Sequence, residues 1–178
     1  MSDPSWQEEL GPVLLTMQII VGALVAGCLT FFVVVCAVSL RGDAADESLV
    51  ITYTAIVFAC VALVVRTIVP GLIVAQGRRR IIEGTWQGSP TVNARFSEQT
   101  GDAGKLAAVF TTRLIVAAAL LEGTAFFAMI AYMLEGSPLA LILAAALILG
   151  VALHFPTRAR LVDWIEEQLT LIEQERCS

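Results

Sequence analysis

A single carboxylate lies in the middle of a long apolar stretch of this sequence. Glu122 stands roughly halfway along residues 106–134, where the only other charged residue is Arg113. A charged group at the centre of a membrane helix costs about 2.5–3.5 kcal/mol on insertion scales, so such groups face a bundle interior and commonly serve a function. Glu122 is therefore the candidate ion or proton site. The alternative is a protonated or hydrogen-bonded carboxyl that only fixes helix packing.

Other polar side chains within apolar stretches fall at a comparable depth. Counting 1.5 Å per residue from the outer helix ends places Arg66, His154, Gln18 and Arg113 in the same half of a membrane as Glu122. An ion pair between Arg66 and Glu122 would let both enter the membrane, and His154 would titrate near neutral pH. We predict a site of Glu122, His154 and Arg66, with Gln18 and Arg113 as a secondary polar layer. Alternatively, the arginines and His154 extend to the lipid headgroups.

The residues that surround these groups form four apolar blocks. Of the 178 residues, 57% are hydrophobic and only 15% are charged, which is more apolar than a soluble domain. The blocks cover residues 13–40, 49–75, 106–134 and 138–155, and the last is close to the minimum of about 17 residues for a membrane helix. The composition predicts an all-α membrane protein with four transmembrane helices in residues 1–156.

The segments between the blocks predict how the helices connect. Ser48 is the predicted N-cap of the second helix. Residues 77–105 are polar and rich in glycine, which predicts a long loop. Residues 135–138 form a connection so short that the third and fourth helices must be antiparallel neighbours.

The C-terminal segment, residues 157–178, has the pattern of an amphipathic helix. Apolar residues recur at helical spacing and acidic residues occupy the other faces. We expect this helix to lie in the cytoplasm and to pack on the arginine-rich loop or on another subunit. The apolar positions are Leu161, Trp164, Ile165, Leu169 and Ile172.

Lysine and arginine are unequally distributed between the two sides that four spans would define. The side that holds both termini and the loop carries nearly all of them, and the other side has only Arg41. The positive-inside rule therefore predicts a multi-pass protein of the inner (plasma) membrane with both termini in the cytoplasm. The residues on the predicted cytoplasmic side are Arg78, Arg79, Arg80, Arg95, Lys105, Arg158, Arg160 and Arg176.

The first and third apolar blocks also resemble each other. A shift of 95 residues aligns residues 16–32 with residues 111–127, and six of the seventeen positions are identical. This indicates two duplicated hairpins related by an axis along the membrane normal, whereas shared membrane composition is the alternative. Gln18 aligns with Arg113 and Gly27 with Glu122, so the charged residues belong to one half only.

Composition and motifs exclude several classes of function. The net charge of −5 argues against a nucleic-acid partner. The four cysteines have no metal-binding or redox spacing, and no HExxH or GxSxG motif is present. We therefore expect a non-enzyme without cofactor or metal. The cysteines are Cys28, Cys36, Cys60 and Cys177.

Two functions fit the remaining pattern. The first is an ion- or proton-handling transporter or channel subunit, with Glu122 as its mid-membrane site and a homo-oligomer enclosing the pathway. The alternative is a non-catalytic membrane scaffold that recruits a cytoplasmic protein through the C-terminal helix and the arginine-rich loop. In both cases the lipid bilayer is the main environment.

Overall fold

The structure is a computed structural model that describes residues 5–39, 48–86 and 100–177. In these ranges the chain is helical and contains no strand, which confirms the predicted all-α class. Arg41, Arg95 and residues 87–99 of the predicted loop lie outside the described residues. The predicted bounds of the loop are wrong at both ends, because helices cover residues 77–82 and 102–105. The helices are α1 (Ser5–Ser39), α2 (Val50–Ile82), α3 (Asp102–Glu135), α4 (Pro138–Ala152) and α5 (Arg158–Cys177).

Three of these helices are long and apolar enough to cross a membrane, and the chain is therefore compatible with a membrane-embedded protein. They are the Leu10–Ser39 part of α1, with 30 residues, α2, with 33, and α3, with 34. A helix of 33 residues is about 50 Å long, whereas the hydrocarbon core of a bilayer is about 30 Å thick. Each therefore has turns to spare beyond a single crossing. The apolar helix α4 has 15 residues and is shorter than a typical span.

The chain divides into two compact units, which are described separately. The α4 unit comprises Ile20–Ile68 and Val116–Phe155, and the α5 unit comprises Met1–Ile19, Val69–Ile115 and Pro156–Ser178.

Helix α3 forms the centre of the α4 unit. Its buried residues include Leu121 and Met129, and alanines on the same face let neighbouring helices approach closely. Phe126 lies 5.2 Å from Phe31 of α1, between ring centroids, and Phe127 lies 5.7 Å from Phe58 of α2. The two aromatic pairs fix α1 and α2 against α3.

A two-residue turn joins α3 to α4. Gly136 adopts a φ of 63°, a left-handed conformation that suits glycine, and its N–H donates to the Tyr132 carbonyl at 2.8 Å. Ser137 is extended at the N-cap, and Pro138 is the first helical residue, where its missing N–H costs nothing. The turn returns α4 along α3, so that Gly150 faces the Leu121 side chain.

The α5 unit contains a core of its own. The apolar face of α5 is buried, with Leu161 and Ile165 at 0% exposure. This amphipathic helix contacts both α2 and α3 within the unit. Core residues from the other three helices are Leu10, Val13 and Met17 of α1, Ile81 of α2, and Leu106 and Val109 of α3.

Candidate functional site

Glu122 lies on α3 within the α4 unit, between the buried Leu121 and the exposed Gly123. Its side chain is half-buried, and the fully buried Cys28 of α1 is within electrostatic range of the carboxylate. No described residue makes a hydrogen bond or ion pair with Glu122. The predicted ion pair with Arg66 is not formed. Glu122 is thus a carboxylate at the edge of the packed face, without a structural partner among the described residues.

Arg66 instead contacts His154, in the same unit. The Arg66 Nη2 and the His154 Nε2 are 2.7 Å apart, and the His154 Nδ1 lies 2.6 Å from the Gly150 carbonyl oxygen. A guanidinium only donates hydrogen bonds, so Nε2 accepts and the ring proton resides on Nδ1. Two of the three predicted site residues are therefore brought together, and the third is not in contact with them.

Gln18 and Arg113, the predicted secondary layer, both lie in the α5 unit. The Gln18 Nε2 donates to the Pro156 carbonyl at 3.2 Å. The Arg113 guanidinium lies 5.9 Å from the centroid of the Trp164 ring, a cation–π distance, and Phe110 packs on the same indole at 5.2 Å. These contacts position the start of α5, which accounts for both polar residues locally.

Sequence reasoning missed the role of Glu135. The backbone N–H groups of Ile51 and Thr52 donate to the two oxygens of the Glu135 carboxylate at 2.6 and 2.7 Å. These are the second and third residues of α2, whose N–H groups have no acceptor within the helix. The predicted cap, Ser48, is wrong because α2 begins at Val50 and its cap position is therefore the residue before it. The carboxylate that terminates α3 caps α2 instead, with favourable charge for a helix N-terminus.

Ion pairs connect α5 to the other helices of its unit. Asp102, in the first turn of α3, accepts hydrogen bonds from Lys105 at 2.8 Å and Arg176 at 2.9 Å. Arg78 of α2 pairs with Glu175 at 2.8 Å. The expected packing of the C-terminal helix on the arginine-rich segment is thus found at Arg78. These pairs are partly exposed, so they fix orientation more than they add stability.

The α4 unit also contains an open apolar cavity of about 300 Å³ between α1 and α4. Its lining has no charged or polar side chain, so it offers no route for an ion. The lining residues are Val25, Leu29 and Phe32 of α1 and Ala145, Ile148, Leu149 and Ala152 of α4.

No group of three or more metal-ligating side chains occurs among the described residues. Comparisons of the chain with protein-family models, curated proteins and solved structures found no match.

Proposed function

We propose that the protein is a multi-pass membrane protein that binds protons or cations at Glu122, as a subunit of a transporter or channel. The observation that carries this proposal is a contrast within one helix. Glu135 of α3 accepts two backbone hydrogen bonds, whereas Glu122 has no hydrogen-bond or ion-pair partner among the described residues. Buried polar groups with a structural role are normally hydrogen-bonded, so a membrane carboxylate without such bonds is best explained by function.

The surroundings of Glu122 favour a path for protons or cations between this chain and a second copy of it. Its half-buried position leaves one side open, since Gly123 beside it is exposed and adds no side chain. The cavity of the α4 unit is lined only by apolar residues. A polar path past Glu122 would therefore form between protomers, and we propose a homo-oligomer.

The proposed topology has four spans and both termini in the cytoplasm. Its support is the charge distribution. From Ile20 to Ile68 and from Val116 to Phe155, the only basic residue described apart from His154 is Arg66, while the α5 unit holds the arginine triplet at the end of α2 (residues 78–80) and the arginines of α5. Helix α4 is about 22 Å long, so the fourth span must use residues 153–155 as well. The arrangement as two duplicated hairpins belongs to the same proposal.

Ion flux in liposomes tests this function. Purified protein is reconstituted with a trapped pH-sensitive dye, and proton movement is followed under a potassium, sodium or pH gradient. We expect Glu122→Gln to reduce the flux at least tenfold with an unchanged circular dichroism spectrum. The matched control is Glu83→Gln, which alters an exposed carboxylate paired with Arg79 and should leave the flux intact. Flux that is equal in the wild type and Glu122→Gln would refute the proposal, and so would a wild type inactive under all three gradients.

The scaffold function remains the second candidate because of the exposed surface of α5. Its apolar face is buried within its own unit, but Asp163, Glu167 and Glu173 are exposed and would face a basic cytoplasmic partner. Truncation after Arg158 is a poor test because it removes core residues. Replacing Asp163 and Glu167 by lysine leaves the core intact. Loss of recruitment of the cytoplasmic partner in that variant, with an unchanged ion flux, would favour the scaffold function.

A further inference from the structure

We infer that the bilayer surrounds only the α4 unit, and that α1, α2 and α3 leave the lipid near Ile19, Ile68 and Ile115 and continue into water as the α5 unit. The inference rests on the membrane location in the proposed function, but not on ion binding at Glu122. It assigns lipid acyl chains as the partner of the exposed apolar surface of the α4 unit.

Large apolar side chains that are exposed belong almost entirely to the α4 unit. Of the 24 that the structure describes, 21 lie in this unit. The other three are Leu15, Ile19 and Leu72, each within five residues of the α4 unit along α1 or α2. A water-soluble surface does not expose so large an apolar area, whereas a surface in contact with acyl chains does. On both helices this surface ends close to where the unit ends.

The helix lengths within the α4 unit match the thickness of a bilayer. The unit contains residues 20–39 of α1, 50–68 of α2 and 116–135 of α3. At 1.5 Å per residue each segment is about 30 Å long, and the hydrocarbon core of a bilayer is also about 30 Å thick. The complete helices have 35, 33 and 34 residues and would exceed it. Because the unit is defined by its packing, this agreement is independent of hydropathy.

The apolar residues of the α5 unit face its own core. Hydropathy extends the first and third apolar blocks, residues 13–40 and 106–134, into this unit. There, however, Val13 of α1 is 4% exposed, and Leu106 and Val109 of α3 are 0% and 3% exposed. Side chains that protein covers need no lipid around them. Apolar residues of a water-soluble helix are placed in the same way.

Charged residues are divided between the units in the same sense. The described part of the α4 unit contains three, Arg66, Glu122 and Glu135, whereas α5 alone contains eight. Arg66 is two residues from the end of its segment and Glu135 is the last residue of α3, so only Glu122 lies well inside the 30 Å layer. Arg113 belongs to the α5 unit and is therefore placed in water, where its charge has no insertion cost.

Fluorescence of the native tryptophans tests the inference without a substitution. All three, Trp6, Trp86 and Trp164, belong to the α5 unit. The full-length protein is reconstituted in phosphatidylcholine vesicles with or without bromine atoms near the middle of the acyl chains, where bromine quenches tryptophan at that depth. We expect brominated lipid to leave the wild-type emission nearly unchanged. Iodide on both sides of the membrane should quench it, because Trp86 and Trp164 are partly exposed.

A matched pair of variants locates the boundary more closely. Phe58→Trp and Thr112→Trp each add one tryptophan at an exposed position, the first in the α4 unit and the second in the α5 unit. Hydropathy assigns both positions to apolar blocks, residues 49–75 and 106–134, but the inference assigns only Phe58 to lipid. Brominated lipid should quench the added emission of Phe58→Trp severalfold more than that of Thr112→Trp, and iodide should act in the opposite order. Circular dichroism verifies that both variants keep the wild-type helix content.

The possible failures have different meanings. Equal quenching of the two variants by brominated lipid would overturn the inference and leave the membrane location of the chain intact. Quenching of both by iodide, with none by brominated lipid, would overturn the inference together with the membrane location. Strong quenching of the native tryptophans by brominated lipid would also overturn the inference, because it would place the α5 unit within the bilayer.

Discussion

The close contact between Gly77 and Val109 gives a sharp test of the α5 unit. A Cβ atom added at Gly77 of α2 would lie 2.6 Å from the Val109 Cγ2 and 3.1 Å from its Cγ1. Val109 is 3% exposed, and its β-branched side chain has little freedom to rotate within a helix. Gly77→Ala should therefore force the two helices apart.

The magnitude follows from comparison with a second glycine on the same helix. Replacing a helical glycine by alanine gains roughly 0.5–1 kcal/mol from backbone preference, and overpacking a core costs about 1–3 kcal/mol. At Gly71 nothing lies within 4 Å of the added atom, so Gly71→Ala should show the gain alone. The backbone term cancels between the two variants, so Gly77→Ala should be less stable than Gly71→Ala by about 1–3 kcal/mol.

Thermal unfolding in detergent, followed by far-UV circular dichroism, measures this difference. For a chain of this size 1 kcal/mol corresponds to about 2–4 °C, so the midpoints should differ by roughly 2–12 °C. Val109→Ala removes the obstructing methyl groups at a cost of about 0.8 kcal/mol each. In that background Gly77→Ala should become stabilising. If Gly77→Ala instead stabilises the wild type as much as Gly71→Ala does, the close approach of α2 and α3 is wrong.

Two other contacts can be checked by the same unfolding assay. Glu135→Gln should lower the midpoint more than the exposed control Glu83→Gln, because a neutral amide keeps one acceptor oxygen but loses the charge that caps α2; equal midpoints would contradict the cap. Ile148→Phe should raise the midpoint, because its ring can fill the cavity beside Phe32. Val151→Phe, at a fully buried position outside the cavity lining, should lower it. A shift of the unfolding midpoint in the same direction for both phenylalanine variants would contradict the presence of the cavity.

The existence of the long helices could be predicted from sequence, but their ends could not. Hydropathy detects where apolar residues stop, whereas helix α2 continues through three arginines to Ile82. Its last turn is held by tertiary packing, since Ile81 is 1% exposed in the α5 unit. Likewise α1 begins at Ser5, and Trp6 is buried at 6% exposure. Both residues belong to the α5 unit, which brings together segments that lie far apart in the sequence.

The prediction of the candidate site has the same limit, because it too depends on contacts between residues that lie far apart in the sequence. Counting residues along a helix estimates depth, and Arg66 and His154, for which it gives similar depths, are in contact. It does not determine the direction in which a side chain points around the helix axis. Arg66 could therefore be assigned to Glu122, although His154 holds it at 2.7 Å. The role of Glu135 could not be predicted, because a carboxylate next to a turn can be solvated and needs no partner. Its role follows only from the folded structure, in which the first turn of α2 lies beside it.

The sequence repeat has one counterpart in the packing of the α4 unit. Phe31 and Phe126 align at the shift of 95 residues and are in ring contact at 5.2 Å. Cys28 and Glu122, which are within electrostatic range of each other, differ by nearly the same number. The ring contact between aligned residues of α1 and α3 is what copies about an axis along the membrane normal would show, but one aligned pair does not establish that arrangement.

The contacts of α4 agree with the sequence repeat only in part. At the same shift, Phe127 aligns with Phe32. Phe127 packs on Phe58, whereas Phe32 lines the α1–α4 cavity. One half thus has an aromatic pair where the other has a void. The contact of Leu121 with Gly150 has no such counterpart, because Ala26, which aligns with Leu121, is exposed. Since α1 and α3 match while the packing within the hairpins differs, duplication of the hairpins stays a prediction.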